Sequence, residues 1–427
     1  GDRALNARIA AAELLIAVLD RGRALEGALD QTASFNALEG RDRAFARALA
    51  TAGLRRLGSV NAVLARFLER PLPDNANHAR ALLHIGATQL LVLGTPAHAA
   101  VGETVEAANQ LRQARGFAKL INAVLRRVSR EGADILTSLP PGAYLPQWLY
   151  ARWRATYGEA APRMAQALLT EPPLDLTAKE NARALAGELG ATLTPTGSVR
   201  LPSGGGGVET LPGFSDGAWW VQDAAAALPA LVIGDVRGQR VLDLCAAPGG
   251  KTLQLAAMGA HLTAVDKSAP RLERLRQNLA RTKLNADIVC ADALTLEASE
   301  RFDAILLDAP CTSTGTLRRH PDVAWLRRPT DIRALASLQT QMIDAAAKLL
   351  KPGGRLVYAV CSLEPEEGPG AIAHALNDGW RRLPIDAEEF AGARAFITAD
   401  GDLRTLPSQW PEIGGLDGFF VSRLGRA

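Results

Sequence analysis

The chain has 427 residues, of which 48% are hydrophobic and 22% are charged. This composition is typical of a globular enzyme and excludes a disordered, collagenous or disulfide-rich class. No run of about 18 apolar residues and no secretory signal pattern occurs, so we expect no membrane-spanning helix.

Residues 4–133 repeat their apolar positions with helical spacing and contain almost no strand signals. The chain begins with Gly1, so a trimmed terminus or a tag remnant is expected. We predict an all-α domain over residues 1–135, with a first helix that stops at Gly22. The helical segments are ALNARIAAAELLIAVLDRG, RDRAFARALATAGLRRLG, NAVLARFLER, HARALLHIGATQLLVLG, HAAVGETVEAANQLR and FAKLINAVLRRVSREG.

The same segment carries the positive charge of the chain. Residues 1–135 contain 18 Arg and Lys against 13 Asp and Glu, whereas the remainder contains 30 against 32. An arginine-rich surface suits the phosphate backbone of a nucleic acid. An ordinary solvated helical surface is the alternative, and charge alone does not choose between the two.

A second region begins near LPPGAYLPQW, where prolines and glycines indicate a joint. Short apolar runs such as LDLTAKE, ATLTPTG and VETLPGF alternate with one short helix, ARALAGELG. We predict a small α+β linker domain with an RRM-like fold over residues 145–215. The glycines at 204–207 predict a loop tip.

Strands and helices alternate over residues 216–427, which predicts a parallel, doubly wound α/β sheet. The predicted strands are RVLDLCA, HLTAVD, ADIVCADA, FDAILLDAP, RLVYAVCS and GFFVSRL. The predicted helices between them are KTLQLAAMGA, RLERLRQNLARTK and IRALASLQTQMIDAAAKLL.

The turn LCAAPGGKT after the first of these strands ends like a phosphate-binding loop. A phosphate loop needs a glycine five positions before the glycine of its Gly-Lys pair, and in this chain that position is Cys245. Pro248 also removes a backbone donor that would hold a phosphate. An ATP or GTP site is therefore disfavoured.

Carboxylates follow the strands at the edge where ligands bind in such sheets. Asp266 ends the second strand, Asp292 follows the third, and Asp308 ends the fourth. A carboxylate at the second strand suits the two ribose hydroxyls of an adenosine cofactor. Because the turn lacks the Gly-x-Gly-x-x-Gly pattern of dinucleotide sites, we predict S-adenosyl-L-methionine. Any one of these acids alone is equally explained as a helix cap.

The chain has four cysteines, Cys245, Cys290, Cys311 and Cys361, without CxxC or Cys/His spacing. Neither a disulfide framework nor a metal site is expected, and a reducing cytoplasm is predicted. Cys290 is interpreted as core filler. Cys311 and Cys361 follow strands at the binding edge and are candidate nucleophiles. Methylation at carbon 5 of a pyrimidine needs a thiolate, which adds to carbon 6 and makes carbon 5 nucleophilic.

Three segments, LDLCAAPGGKT, LLDAPCTSTGTLRRHPDVAW and YAVCSLEPEE, resemble the signatures of RNA cytosine-C5 methyltransferases of the Sun family. RDRAFARAL, PAHAAVGETVEAA and INAVLRR resemble the NusB-like RNA-binding domain of its bacterial members that act on small-subunit ribosomal RNA. QDAAA and DGFFVSRL resemble the two edges of the catalytic domain. The resemblance implies a Rossmann-like class I methyltransferase domain over residues 216–427.

The resemblance also implies the roles of individual residues. Cys361 would attack cytosine carbon 6, Cys311 would assist product release, and Asp308 would also hydrogen-bond the base edge. Lys251 would order the turn, and the arginines of RRHPD would face RNA phosphates. The residues implied to bind the cofactor are Cys245, Ala246, Ala247, Pro248, Gly249, Gly250, Lys251, Asp266, Asp292 and Asp308.

Two positions depart from the family pattern: Val360 replaces the usual threonine before the nucleophile, and Gly368 the usual asparagine. The expected partner is 16S ribosomal RNA or a small-subunit precursor, with no membrane partner, and the protein is expected to be a monomer. The resemblance leaves two alternatives open. One is a non-catalytic RNA-binding or assembly factor, and the other is the same chemistry on tRNA.

Overall fold

A computed structural model describes residues 2–204 and 206–427. Gly205, in the predicted glycine loop tip at 204–207, lies outside the described residues. The chain forms two compact units. The first contains the residues up to Leu169 and also Leu317–Arg328, and the second contains Thr170–Thr316 and Pro329–Ala427. No described helix is both long and apolar enough to cross a bilayer.

The N-terminal part of the first unit is helical, as predicted. Its helices are α1 (Asp2–Leu19), α2 (Leu25–Gln31), α3 (Ala33–Asn36), α4 (Gly40–Arg55), α5 (Leu57–Ala65), α6 (Asn77–Leu91), α7 (Ala97–Gln110), α8 (Ala118–Ser138), α9 (Gln147–Tyr157) and α10 (Ala160–Ala167). Helix α1 packs against α4, α6 and α7, and its Leu14 and Leu15 are almost completely buried. Gly22 has a φ of 66°, the left-handed conformation that ends a helix.

The second unit begins with a small antiparallel sheet. Its elements are β1 (Leu174–Ala178), α11 (Ala182–Leu189), β2 (Thr192–Leu193), β3 (Val199–Leu201) and β4 (Trp219–Val221). The strand order is β2-β3-β1-β4, and every pairing is antiparallel. This sheet belongs to the same compact unit as the large sheet described next. The division of the chain into three domains, with an RRM-like linker, therefore stays a prediction.

The large sheet is the doubly wound structure that the alternation predicted. Its strands are β5 (Arg240–Leu244), β6 (His261–Asp266), β7 (Asp287–Cys290), β8 (Phe302–Asp308), β9 (Leu350–Val360), β10 (Arg381–Arg382), β11 (Leu403–Arg404) and β12 (Phe420–Gly425). The helices of this part of the sequence are α12 (Leu228–Val232), α13 (Gly250–Ala257), α14 (Ala269–Thr282), α15 (Val323–Leu326), α16 (Pro329–Ala347) and α17 (Pro369–Asn377).

The strand order is β10-β12-β9-β8-β5-β6-β7, and β11 pairs with β12. Strands β5 to β9 are parallel to their neighbours, whereas β10, β11 and β12 pair antiparallel. The sheet is thus mixed, because the last strand returns beside β9 in the opposite direction. The carboxyl ends of β5, β6, β8 and β9 lie along one side of the sheet. Ligands bind at this side in doubly wound sheets.

Candidate active site

The turn after β5 brings small residues close to neighbouring side chains. Cys245 and Gly249 both have positive φ angles, of 60° and 116°. A Cβ atom on Gly249 would lie 2.4 Å from Leu275, and one on Gly250 would lie 3.1 Å from Gln222. Glycine is required at Gly249 by both its backbone and its neighbour. The two glycines therefore let the turn pack closely against Leu275 and Gln222.

Asp266 holds this turn to the end of β6. Its Oδ2 accepts a hydrogen bond from the backbone nitrogen of Ala247 at 3.2 Å, and its Oδ1 accepts one from Ser268 at 2.9 Å. The residue is 6% exposed. Each carboxylate oxygen has a second lone pair that these two bonds do not use. The side chain can thus organise the turn and still accept hydrogen bonds from a ligand.

Asp292 follows β7 and is exposed. Its Oδ1 accepts a hydrogen bond from the backbone nitrogen of Leu294 at 2.9 Å, which closes the turn that follows the strand. No described helix begins at Asp292, so this contact of its side chain stabilises a turn and is not a helix cap. Its second oxygen has no hydrogen-bond partner among the described residues.

Lys251 and Asp308 form an ion pair at the centre of the edge. Lys251 Nζ lies 2.8 Å from Asp308 Oδ2 and 5.3 Å from the centroid of the Phe419 ring. Burial alone lowers the pKa of Lys251, but the charge of Asp308 and its hydrogen bond, together with Cys361 and Asp243, raise it above its ordinary value. The ammonium therefore stays charged. Sequence reasoning missed Phe419, whose only signal was its place in DGFF.

Asp243 on β5 was also missed, although it is a polar residue within an apolar strand. It is 1% exposed, and its Oδ2 accepts a hydrogen bond from the Thr252 hydroxyl at 2.6 Å. Burial raises the pKa of Asp243 to about 7, while Thr252 and Lys251 partly oppose the shift. Its Oδ1 is buried with no partner among the described residues. This carboxyl lies behind the turn and influences the charge of Lys251.

The two candidate nucleophiles lie side by side. Cys311 Sγ and Cys361 Sγ are 3.5 Å apart, and each sulfur is within 4 Å of the Ser313 hydroxyl, at 3.9 and 3.6 Å. Cys311 is buried, whereas Cys361 is partly exposed. The hydrogen bond that Cys311 shares with Cys361, burial and nearby negative charge raise the pKa of Cys311 well above its ordinary value. Cys311 is therefore held as a thiol.

The other two cysteines have different surroundings. Burial, and then the negative charges of Asp308, Asp266 and Asp243, raise the pKa of Cys245 to about 12, so it too remains a thiol. Cys290 is exposed, and its interpretation as core filler is wrong. The reason is that β7 is the edge strand of the sheet and leaves most of its side chains accessible.

The RRHPD arginines were predicted to face RNA phosphates, and for Arg318 this prediction is wrong. Arg318 is 1% exposed, and its backbone oxygen accepts a hydrogen bond from Arg55 at 2.7 Å. Asp322 of the same segment accepts one from the backbone of Leu25 at 2.9 Å. The segment Leu317–Arg328 thus packs within the helical unit, although it follows the Cys311 loop in sequence. Arg319 is partly buried.

Family models match both parts of the chain. A model described as 16S rRNA methyltransferase RsmB/F matches residues 230–425, and a model of the NusB family matches residues 5–130. The chain is 39% identical to the ribosomal RNA small subunit methyltransferase B of Vibrio cholerae, over 99% of this chain and 98% of the relative. The protein of the same name from Xanthomonas campestris is 39% identical over 98% of this chain and 97% of its own.

Solved structures show the same fold. The crystal structure of the protein PH0851 superposes over 100% of this chain and 99% of its own, with a TM-score of 0.77 at 21% sequence identity. A methyltransferase homolog protein from Pyrococcus horikoshii superposes over 66% of this chain and 95% of its own, with a TM-score of 0.56 at 27% identity.

Proposed function

The chain belongs to the RsmB/F family of 16S rRNA methyltransferases, and from this premise we propose the atom that it methylates and the covalent route that it uses. It is an S-adenosylmethionine-dependent methyltransferase. The proposed reaction transfers the methyl group to carbon 5 of a cytosine in 16S rRNA through an adduct between a cysteine and carbon 6. The observation that carries the proposal is the 3.5 Å pair of Cys311 and Cys361 beside Lys251 and Asp308.

The turn after β5 fits a cofactor of this class. Gly249 and Gly250 let the turn pack against Leu275 and Gln222, which fixes its backbone at the carboxyl end of β5. Asp266 keeps free lone pairs for ribose hydroxyls, and Asp292 lies at the end of the next strand. When bound, S-adenosylmethionine supplies a methyl group on a sulfonium. The residues proposed to hold it are Cys245, Ala246, Ala247, Pro248, Gly249, Gly250, Lys251, Asp266, Asp292 and Asp308.

Cys361 is proposed as the nucleophile because it is the more accessible of the two thiols, whereas Cys311 is buried with a raised pKa. Lys251 interacts electrostatically with Cys361, so a positive charge lies near the attacking sulfur. This sulfur adds to carbon 6 of the base, and the electron pair of the 5,6 double bond moves to carbon 5. Carbon 5 can then accept the methyl group.

Asp308 is proposed to hydrogen-bond the base edge and to favour protonation at N3 as the adduct forms. Its Oδ2 is already paired with Lys251, so its other oxygen is the one for the base. After transfer, carbon 5 loses its proton and the bond between carbon 6 and sulfur breaks, which restores the double bond. Cys311 is proposed to assist this release, since a thiol 3.5 Å from the departing sulfur can donate a hydrogen bond to it.

The RNA substrate is proposed to be 16S rRNA or a small-subunit precursor. The NusB family model covers residues 5–130, the same part of the chain that holds the excess of arginine. A non-catalytic RNA-binding factor would need no paired thiols beside a charged lysine. The catalytic proposal is therefore preferred to that alternative.

Incubation of the protein with radiolabelled S-adenosylmethionine tests the proposal, with 16S rRNA, small subunits and bulk tRNA as separate acceptors. We expect label in 16S rRNA or small subunits, and bisulfite sequencing should place it on one cytosine. Label in tRNA alone would refute the proposal that 16S rRNA is the substrate. Label that bisulfite sequencing does not detect at a cytosine would refute the proposal that carbon 5 is methylated.

A further inference from the structure

A buried carboxylate joins the two loops that carry the cysteines. Glu367 is 0% exposed, and its side chain accepts four hydrogen bonds. Two come from Thr312, through its backbone nitrogen at 2.9 Å and its hydroxyl, and one comes from the Ser362 hydroxyl at 2.6 Å. Thr312 directly follows Cys311, and Ser362 directly follows Cys361. The carboxylate therefore bridges the residues that come next after each thiol.

The fourth hydrogen bond comes from Gln339 on α16. Its Nε2 lies 2.9 Å from Glu367 and 2.8 Å from the backbone oxygen of Pro310. The same amide nitrogen thus contacts the residue before Cys311 and the carboxylate that holds the residue after it. The backbone oxygen of Glu367 accepts a further hydrogen bond from Tyr358 on β9, at 2.6 Å. Glu367 is therefore fixed to the sheet as well as to both loops.

The number of donors makes this site sensitive to substitution. A carboxylate accepts at both oxygens, and here it receives four hydrogen bonds, one from a backbone N–H and three from side chains. Removing such an acceptor leaves the buried Thr312 N–H without a partner, which is costly. Glutamine keeps one acceptor oxygen, and its amino group can donate to the two hydroxyls, so it preserves most of the bridge. Leucine preserves none of it.

We propose that Glu367 is a positioning residue that fixes the spacing between Cys311 and Cys361. The inference deepens the proposed function and rests on it, since Cys311 must stay within hydrogen-bond distance of the Cys361 sulfur to assist its release. The two cysteines lie in loops that begin where the paired strands β8 and β9 end, and one backbone hydrogen bond, from Gly315 to Cys361 at 2.9 Å, already joins these loops. The Glu367 carboxylate joins the same two loops through the residues that follow each cysteine.

The spacing can be measured without methylation. Diamide takes two electrons and two protons from two neighbouring thiols, which form a disulfide while diamide becomes a hydrazine. The rate at which Cys311 and Cys361 become linked, read by mass spectrometry of alkylated peptides, reports their separation and alignment. The variants are Glu367→Leu and Glu367→Gln, and the matched control is Glu366→Gln in the exposed neighbouring residue.

In Glu367→Leu, linkage and kcat should each fall by about 10- to 100-fold, because a misplacement of about 1 Å can cost about 100-fold in rate. Glu367→Gln should lie between Leu and the wild type, Glu366→Gln should match the wild type, and the Kd for S-adenosylmethionine should be unchanged in all three. A merely structural glutamate would lower the melting temperature and leave both rates of the folded protein unchanged. Wild-type rates in folded Glu367→Leu would overturn the proposal.

If Glu367→Leu does not fold, Glu367→Gln and Ser362→Ala decide the question, since the latter removes only the link to the Cys361 loop. Both should slow the linkage, and wild-type linkage in both would overturn the proposal. A wild-type protein that methylates no RNA, with linkage that still depends on residue 367, would refute the proposed function and leave the spacing role standing. Methylation and thiol linkage that do not depend on residue 367 would leave the proposed function standing and refute the spacing role.

Discussion

Asp266 shows how one side chain can serve both the fold and a ligand. Its two oxygens hold the turn after β5 and the start of α14, and they keep lone pairs for the ribose hydroxyls that Asp266 is proposed to bind. Both tasks depend on the place of the residue at the carboxyl end of β6. The sequence predicted that place, but the hydrogen bond to Ala247 required the structure.

Asp266→Ala should weaken the binding of S-adenosylmethionine by about 1–3 kcal/mol, the scale for losing hydrogen bonds to a charged partner. Asp266→Asn keeps one acceptor for the turn and should lose less. Isothermal titration gives both Kd values, with Glu273→Ala on the exposed face of α14 as the control. An unchanged Kd in Asp266→Ala would refute the ribose assignment.

Asp243 leads to a prediction about pH. Its pKa is raised to about 7 in the folded protein, so the folded state keeps a proton that the unfolded state loses from about pH 4 upward. The contribution of Asp243 to stability is therefore fully present below about pH 4 and is lost as the pH rises to about 7. Above that pH the loss is complete.

Asp243→Asn cannot lose a proton and should escape this penalty. Relative to the wild type, its resistance to urea should improve steadily between pH 4 and pH 7 and then stay constant. Urea unfolding at four pH values measures the difference, and Thr252→Val controls for loss of the hydrogen bond alone. A difference that does not change with pH would contradict the raised pKa.

The residues that sequence analysis misjudged share one cause, which is that burial depends on tertiary neighbours. Cys290 is of a residue type that is usually buried, but it lies on an edge strand. Arg318 is of a residue type that often contacts RNA, but it is buried in the helical unit. Phe419 and Asp243 gave only weak local signals. Each contributes to the surroundings of the Lys251 ammonium, and such a contact cannot be recognised from the residues next to it in sequence.

At the scale of elements, helix α8 separates its apolar and basic faces. Ile121, Val124, Leu125 and Val128 are buried in the helical core, whereas Arg126 and Arg130 are exposed on the opposite side. An exposed guanidinium can contact RNA phosphates without a change in the fold. Helix α8 therefore exposes part of the arginine excess of residues 1–135.

Arg126→Gln with Arg130→Gln should weaken RNA binding and flatten its dependence on salt, by about 0.7–0.9 in the slope of log K per lost phosphate contact. The matched control is Arg381→Gln with Arg394→Gln, two exposed arginines of the second unit. Filter binding at four salt concentrations gives the slopes. Equal slopes in the two double variants would refute an RNA contact on α8.

Element boundaries were predicted best where local patterns are strong. The strand HLTAVD matches β6 residue for residue, because an apolar run lies between a turn and a terminal acid. The strand RLVYAV was predicted from Arg355, whereas β9 begins at Leu350 and includes KPGG. Gly353 has a φ of 76° within that strand, an irregularity for which the sequence carries no strand signal.

At the scale of the whole molecule, strand order explains why distant residues meet. Lys251, Asp308 and Cys361 follow β5, β8 and β9, which are adjacent in the sheet. The alternation of strands and helices was sufficient to predict this shared edge. The return of Leu317–Arg328 to the helical unit was not predictable, because boundaries drawn from sequence assume continuous segments.

The covalent route is the central claim, and trapping of the protein–RNA adduct tests it most directly. Cys311→Ala should attack and methylate the RNA but release it slowly, so that a retarded band appears on a denaturing gel when S-adenosylmethionine is present. Cys361→Ala and the double variant should give no band, since no sulfur can add to carbon 6. A band in Cys361→Ala that is lost in Cys311→Ala would reverse the two roles, and the absence of any band in all variants would contradict the covalent account.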